Sequence, residues 1–254
     1  MLTPTLMVAP NGARKQKLDH PDLPITIQEI ALSARDCFLA GADMLHLHIR
    51  TKDGDHSLDP DHYKDAICAV TETIPEMPIQ ITTESAGIFD VETQFHCLKN
   101  VTPAAASISI REMATNTSLA KQVYSFCAET NTTVQHIIYT PNDVALLADW
   151  FGKGWVPRHM NSVIYVLGRY QPQVLARPEH LPAFLEASKH LSLDWAICAF
   201  GQHELACASA ALQLGGNLRI GFENNTLLPD GSPAKDNAQT VALAAALIKD
   251  LQHE

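Results

Sequence analysis

The segment LHLHIR holds two histidines two residues apart, and in an extended strand that spacing turns His46 and His48 to one face and Leu45 and Leu47 to the other. Two imidazoles projecting together are either metal donors or core histidines satisfied by hydrogen bonds. Near the far end of the chain, RIGFEN predicts a second strand with Arg219, Gly221 and Glu223 on one face. His46, His48 and Glu223 together form a donor set of two imidazoles and one carboxylate. Such a set leaves coordination positions open, as catalytic zinc and non-haem iron sites do, whereas four protein ligands close a structural zinc site. Gly221 either leaves room for a ligand or eases barrel packing. Arg219 and Glu223 form either a structural ion pair or an arginine beside a metal ligand.

Strands that carry these groups must themselves be brought together. Apolar, β-branched runs alternate with helix-period segments along the whole chain. Strands are expected at 5–10, 44–50, 78–85, 104–112, 133–139, 162–168, 194–200 and 217–224. Helices are expected at 26–40, 60–74, 90–99, 118–130, 141–151, 178–190, 203–214 and 236–250. Thr26 with Glu29 reads as a capping box, Pro60 and Pro141 suit first helical turns, and Gly41 and Gly215 follow helix ends. Eight βα units in 254 residues predict a single (β/α)8 TIM barrel, one catalytic domain over 1–254. In a closed barrel the eighth strand lies one strand away from the second, across the first, and both sites fall at the C-terminal ends of their strands, where barrel enzymes build active sites.

A hydrophobic content of 46% allows a large core, and a net charge of −10 disfavours nucleic acid or an anionic membrane surface, leaving a small molecule as the expected ligand. No apolar run long enough to span a bilayer is seen, and the N-terminus lacks a signal-peptide pattern, so a cytoplasmic protein is expected. Cys37, Cys68, Cys97, Cys127, Cys198 and Cys207 form no C-x-x-C pair and read as small buried thiols.

The segments APNGARKQK, HPDLPIT, GADMLHLHIR, DGDHSLDP, QITTES, ISIRE, CAFG and RIGFENN-TLLPDG, in this order, resemble the β-keto acid cleavage enzymes, from about residue 8 to residue 248. That resemblance implies a Zn2+ barrel, often a homotetramer, in which His46, His48 and Glu223 hold the metal. It also implies that the enzyme converts a β-keto acid and acetyl-CoA into acetoacetate and a new acyl-CoA. The enolate of the keto acid would attack the thioester carbonyl, the thiolate would then take up the original keto carbon, and a retro-Claisen step would release acetoacetate. Arg219 would stabilise oxyanions, and Thr82 and Ser109 are candidates for hydrogen bonds to substrate oxygens, or else buried hydroxyls bonded to backbone.

Many members of the family carry an aspartate after the strand-eight glutamate, where this chain has Asn224. An amide cannot accept a proton as a general base near neutral pH, so the task passes to Glu84, Glu112 or Asp143, or Asn224 only positions substrate. The resemblance further implies that the residue after the first-strand Gly-Ala faces the substrate tail. It is acidic in the family member that acts on 3-keto-5-aminohexanoate, and here it is Arg14, which predicts an anionic or neutral polar tail; Arg14 could instead be solvated or meet the CoA phosphates. No glycine-rich phosphate fingerprint is found, and Gly215-Gly216 reads as a helix-to-strand turn. Two rival readings keep the metal: an aldolase or hydrolase that needs no acetyl-CoA, and a metal-stabilised binding protein without turnover.

Overall fold

A computed structural model describes residues 4–169 and 172–252, so residues 1–3, 170–171 and 253–254 of the expected 1–254 domain lie outside the described set. The strands, in chain order, are β1 (Leu6–Val8), β2 (Met44–Leu47), β3 (Ile49–Arg50), β4 (His56–Ser57), β5 (Ile79–Thr82), β6 (Ala105–Ser109), β7 (Thr133–Ile138), β8 (Ser162–Leu167), β9 (Asp194–Ala199) and β10 (Asn217–Ile220). All but β3 and β4 close into one parallel barrel in the order β1-β10-β9-β8-β7-β6-β5-β2, while β3 and β4 pair antiparallel as a small hairpin above the rim. This is the expected (β/α)8 barrel.

The helices are α1 (Ile27–Leu39), α2 (Pro60–Thr73), α3 (Val91–Val101), α4 (Ile110–Met113), α5 (Thr117–Glu129), α6 (Pro141–Gly152), α7 (Leu181–Ser188), α8 (Glu204–Gln213) and α9 (Asn237–Gln252). Thr26 and Glu29 form the capping box that their spacing predicts, each side chain bonded to the other's end of the first turn. Among the described residues no helix is long and apolar enough to cross a membrane.

Alternation along each strand sorts the core. Leu45, Leu47, Ile81, Ala106, Ile108, Val163, Leu218 and Ile220 pack outward with the helices in the main hydrophobic cluster. Burying one such aliphatic side chain is worth about 1.5–3 kcal/mol, so this layer fixes the register. The inward residues divide the lumen. Ile137, Ile164, Val166, Ala196 and Cys198 make an apolar wall on β7, β8 and β9. His46, Gln80, Thr82, Ser107 and Arg219, on β2, β5, β6 and β10, make a buried polar one.

Every expected strand stops short of its predicted end, and three of these early ends shape the site. The run 44–50 breaks at His48, because Ile49 and Arg50 leave the barrel to pair with Ser57 and His56. The run 104–112 gives way at Ile110 to α4, which puts Glu112 on a helix. The run 217–224 ends at Ile220, where Gly221 takes φ +127° and the chain turns, with Asn224 N–H donating to Gly221 O at 2.8 Å. A Cβ at Gly221 would lie 2.6 Å from the Ala9 carbonyl oxygen, so both the conformation and the close approach call for glycine. Gly221→Ala should therefore cost about 1–3 kcal/mol of unfolding free energy in urea titration; a cost below about 0.5 kcal/mol would contradict the strain argument.

Candidate metal centre and active site

β1 lies between β2 and β10, with Val8 level with Leu45 on one side and Ile220 on the other. The His46 side chain therefore enters the lumen at the end of β2, and Arg219 enters it from β10. His48 follows just past the strand, and Glu223 returns to the same spot from the turn beyond β10 rather than from a strand face. His46 Nε2 and His48 Nε2 are 3.2 Å apart, and the Glu223 carboxylate lies 3.4 Å from His48 Nε2 and 3.8 Å from His46 Nε2. All three residues are buried and their donor atoms fall within 4.8 Å of one another.

Donor chemistry can be tested against these distances. A tetrahedral zinc with bonds of about 2.0–2.2 Å separates neighbouring donors by roughly 3.3–3.6 Å, close to what is found. The Gln80 carbonyl Oε1 is 2.7 Å from His46 Nδ1, which sets the proton on Nδ1 and leaves Nε2 its lone pair. Burial, and after it the Arg219 guanidinium, holds His46 well below the usual imidazole range, so the ring stays neutral as a ligand must. Burial alone would raise Glu223. Arg219 first, then His48, outweigh that and hold its carboxyl well below the usual range. The residues present thus fit a divalent cation, which His46, His48 and Glu223 would hold.

Arg219 completes the floor. Its Nη1 donates to His46 Nε2 at 3.1 Å, its Nη2 donates to Cys198 Sγ at 3.5 Å, and Nη2 lies 3.6 Å from Glu223. Glycine again makes room, since a Cβ on Gly12, at φ +62°, would fall 2.5 Å from Glu223 Cγ. Above the cluster lies a cleft of about 150 Å3 lined by Asn11, Arg14, Lys15, Glu84, Tyr139, Arg169, Phe200 and Glu223, among others.

The other expected residues are distributed unevenly. Ser109, at the end of β6, is fully buried with a hydroxyl that has no hydrogen-bond partner among the described residues. Thr82 Oγ1 accepts from Glu84 N–H at 3.0 Å and from Ser107 Oγ at 3.4 Å, which is the backbone-satisfied alternative. Glu84 lines the cleft and accepts the Tyr139 phenol at 2.5 Å. Arg14 is exposed at the cleft edge and donates to the Ala86 carbonyl at 3.1 Å.

Asp143 does not join this group. It accepts from the Tyr139 and Thr140 N–H groups at the start of α6, both at 2.8 Å, and pairs with Arg111 at 2.6 Å. Glu112 accepts from Ser85 N–H and Oγ at 2.9 and 2.7 Å, and burial pushes it up to about 7. Asn224 Nδ2 donates to Glu204 Oε1 and to the Arg219 carbonyl, at 3.1 and 3.0 Å.

Several residues of the site were missed by sequence reasoning. Gln80 was within reach, since it shares the lumen face of its strand with Thr82. Arg50, 1% exposed, binds the carbonyls of Asn11, Gly12, Lys15 and Gly54 and so pins the loop after β1 across the mouth. Lys15, Tyr139 and Glu204 gave no local signal.

This chain is 27% identical to the 3-keto-5-aminohexanoate cleavage enzyme of Fusobacterium nucleatum subsp. nucleatum, over 96% of its length and 90% of that protein. It is 25% identical to the 3-oxoadipate:acetyl-CoA acetyltransferase of Cupriavidus necator, over 96% of its length and 88% of that protein. Among solved structures, apo ObcA superposes with a TM-score of 0.66 at 16% identity, covering 91% of this chain and 65% of ObcA, a likeness of fold alone. The model of the β-keto acid cleavage enzymes matches residues 5–254. With that match over nearly its whole length, the chain belongs to the β-keto acid cleavage enzyme family.

Proposed function

We propose that this enzyme uses zinc to cleave a β-keto acid with acetyl-CoA, giving acetoacetate and a new acyl-CoA, and that its substrate has an anionic or neutral polar tail. The observation that carries this reading is the buried cluster of His46, His48 and Glu223 beneath the cleft. These three residues would hold the ion, which when bound supplies a Lewis acid for the keto oxygen and carboxylate of the substrate.

The chain's own groups supply the rest. Arg219, fixed among His46, Cys198 and Glu223, presents a cation whose field strengthens an oxyanion formed at the cleft floor. Ser109 offers a buried hydroxyl suited to a substrate oxygen, and Thr82, whose oxygen already accepts two hydrogen bonds, holds the Glu84 backbone in place. Of the three carboxylates considered for proton transfer, Glu84 is the one that lines the cleft, and the Tyr139 phenol that donates to it holds it in place. Asp143 is occupied as a helix cap and Glu112 by Ser85. Asn224 positions, rather than titrates.

Arg14 stands at the cleft edge where a substrate tail would emerge, and the related 3-oxoadipate enzyme is named for a keto acid with a carboxylate at its far end. A guanidinium there favours a carboxylate tail by its planar pair of donors.

Metal content should follow the three ligands. His48→Ala is expected to lose zinc and turnover together, and near-stoichiometric zinc by elemental analysis in an active His48→Ala protein would refute the ligand assignment.

Arg219→Met should keep its zinc while kcat/KM falls at least ~100-fold, the scale of one lost oxyanion stabiliser. An unchanged rate would make Arg219 a structural partner of Glu223.

The activity itself is tested by incubating the purified protein with β-keto acids of cationic, neutral and anionic tail, with and without acetyl-CoA, and measuring acetoacetate. Product is expected only with acetyl-CoA and fastest from a β-keto dicarboxylate. Arg14→Glu should lower kcat/KM for the dicarboxylate and raise it for an amino-keto acid. A change confined to the KM for acetyl-CoA would assign Arg14 to the cofactor, and acetyl-CoA-independent turnover would favour an aldolase or hydrolase.

A further inference from the structure

The cleft above the histidines holds about 150 Å3, less than the roughly 300–1,000 Å3 of pockets that enclose a drug-sized ligand. A small keto acid suits such a space. A coenzyme A thioester is far larger and must leave most of its length outside. A second cavity, of about 490 Å3, abuts the cleft along Tyr139, Val166, Gly168 and Arg169, and is bounded beyond them by the starts of α6 and α7.

The loop after β8 builds the wall that the two cavities share. Gly168 takes φ +78°, and a Cβ there would lie 2.6 Å from the Val174 carbonyl oxygen, so glycine lets the returning chain close against it. Arg169 and Val174 then exchange two backbone hydrogen bonds of 2.9 Å, and Ala176 N–H donates to the Phe200 carbonyl at 3.0 Å. The loop is thereby tied to the end of β9. Val174, held 40% exposed, and Phe184 from α7 give the groove an apolar lining.

Charge distinguishes this groove from others. Two guanidiniums, Arg111 and Arg169, stand on its walls against one carboxylate, Glu179, in a chain whose net charge is −10. Arg111 stacks 4.5 Å over the Tyr139 ring and pairs with Asp143. Arg169 is exposed, donates from Nε to the Pro172 carbonyl at 3.1 Å and has no ion pair among the described residues. A larger cavity of about 690 Å3 beside β4 and α2 carries Asp59 and Asp61 instead, and shares no residue with the cleft. Phosphates are repelled there and attracted at the arginines.

We propose that the groove between the β8 loop and the starts of α6 and α7 admits the coenzyme A thioester. Its acetyl end passes Tyr139 and Gly168 into the cleft, its pantetheine arm lies along Val174 and Phe184, and its phosphates meet Arg169 and Arg111. The inference rests on the reading of acetyl-CoA as co-substrate. Arg14 lines the cleft but not this groove, which leaves it to the tail of the keto acid.

The experiment combines calorimetric titration of the full-length protein with CoA and steady-state kinetics with two thioesters, acetyl-CoA and S-acetylpantetheine, which lacks the phosphates. Arg169→Gln should raise the Kd for CoA and the KM for acetyl-CoA at least ~10-fold, the scale of one lost charge-assisted contact, and the loss should vanish with S-acetylpantetheine. Ala183→Trp, at an exposed position of α7 on the groove wall, should raise KM for both thioesters without changing KM for the keto acid. Unaltered CoA binding in both variants overturns the proposal, and a loss seen only in Arg14→Glu would place the thioester at the first-strand loop instead. An equal loss with both thioesters in Arg169→Gln overturns the phosphate assignment. Wild-type protein that neither binds CoA nor turns over acetyl-CoA would remove the co-substrate reading itself, and this inference with it.

Discussion

A carboxylate buried between an arginine and two imidazoles is the constraint on which the site depends. Glu223 is 7% exposed, and a charge so placed is tolerable only when the surrounding groups answer it. Arg219 does so from the lumen wall at 3.6 Å, and His48 approaches at 3.4 Å. The same demand explains why Gly12 and Gly221 are glycines, since a methyl group at either would collide with Glu223 or with the Ala9 carbonyl at the turn that delivers it. The charge balance that satisfies the protein is also one that a divalent cation can enter, with two imidazole nitrogens and a carboxylate oxygen turned to one point.

The barrel supplies the frame for that balance by dividing its lumen. The apolar wall on β7, β8 and β9 carries Ile137, Ile164 and Val166, with Tyr139 and Phe200 packed against it toward the mouth. Opposite stands the polar wall that ends in the histidine pair. A small keto acid between them would meet donors on one side and a water-excluding surface on the other, where low polarity strengthens each electrostatic contact.

Much of this was legible in the sequence because strand alternation and helix caps are local. The i, i+2 spacing of His46 and His48 and the Thr26–Glu29 box need only neighbours a few residues away. The grouping of Glu223 with the histidines was also legible, though for an incomplete reason. Alternation was extended through Gly221, whereas positive φ there ends the strand and a turn carries Glu223 back. Asp143 could have been set aside earlier, since Thr140-Pro-Asn-Asp is itself a helix-start pattern and its carboxylate serves α6. Lys15, Arg50, Tyr139 and Glu204 were not legible, because each meets its partners only once the barrel has closed and distant loops lie side by side.

Arg50 shapes the barrel mouth through the backbone alone. Its guanidinium holds the loop after β1 through backbone carbonyls alone, those of Asn11, Gly12 and Lys15, with Gly54 as a fourth anchor from the β3–β4 hairpin. Carbonyls are common to every residue type, so these anchors do not depend on the side chains of Asn11 and Lys15, while Gly12 is held to glycine by Glu223. Arg14 is exposed and is none of these anchors, so a substitution there would leave the backbone clamp beneath it in place.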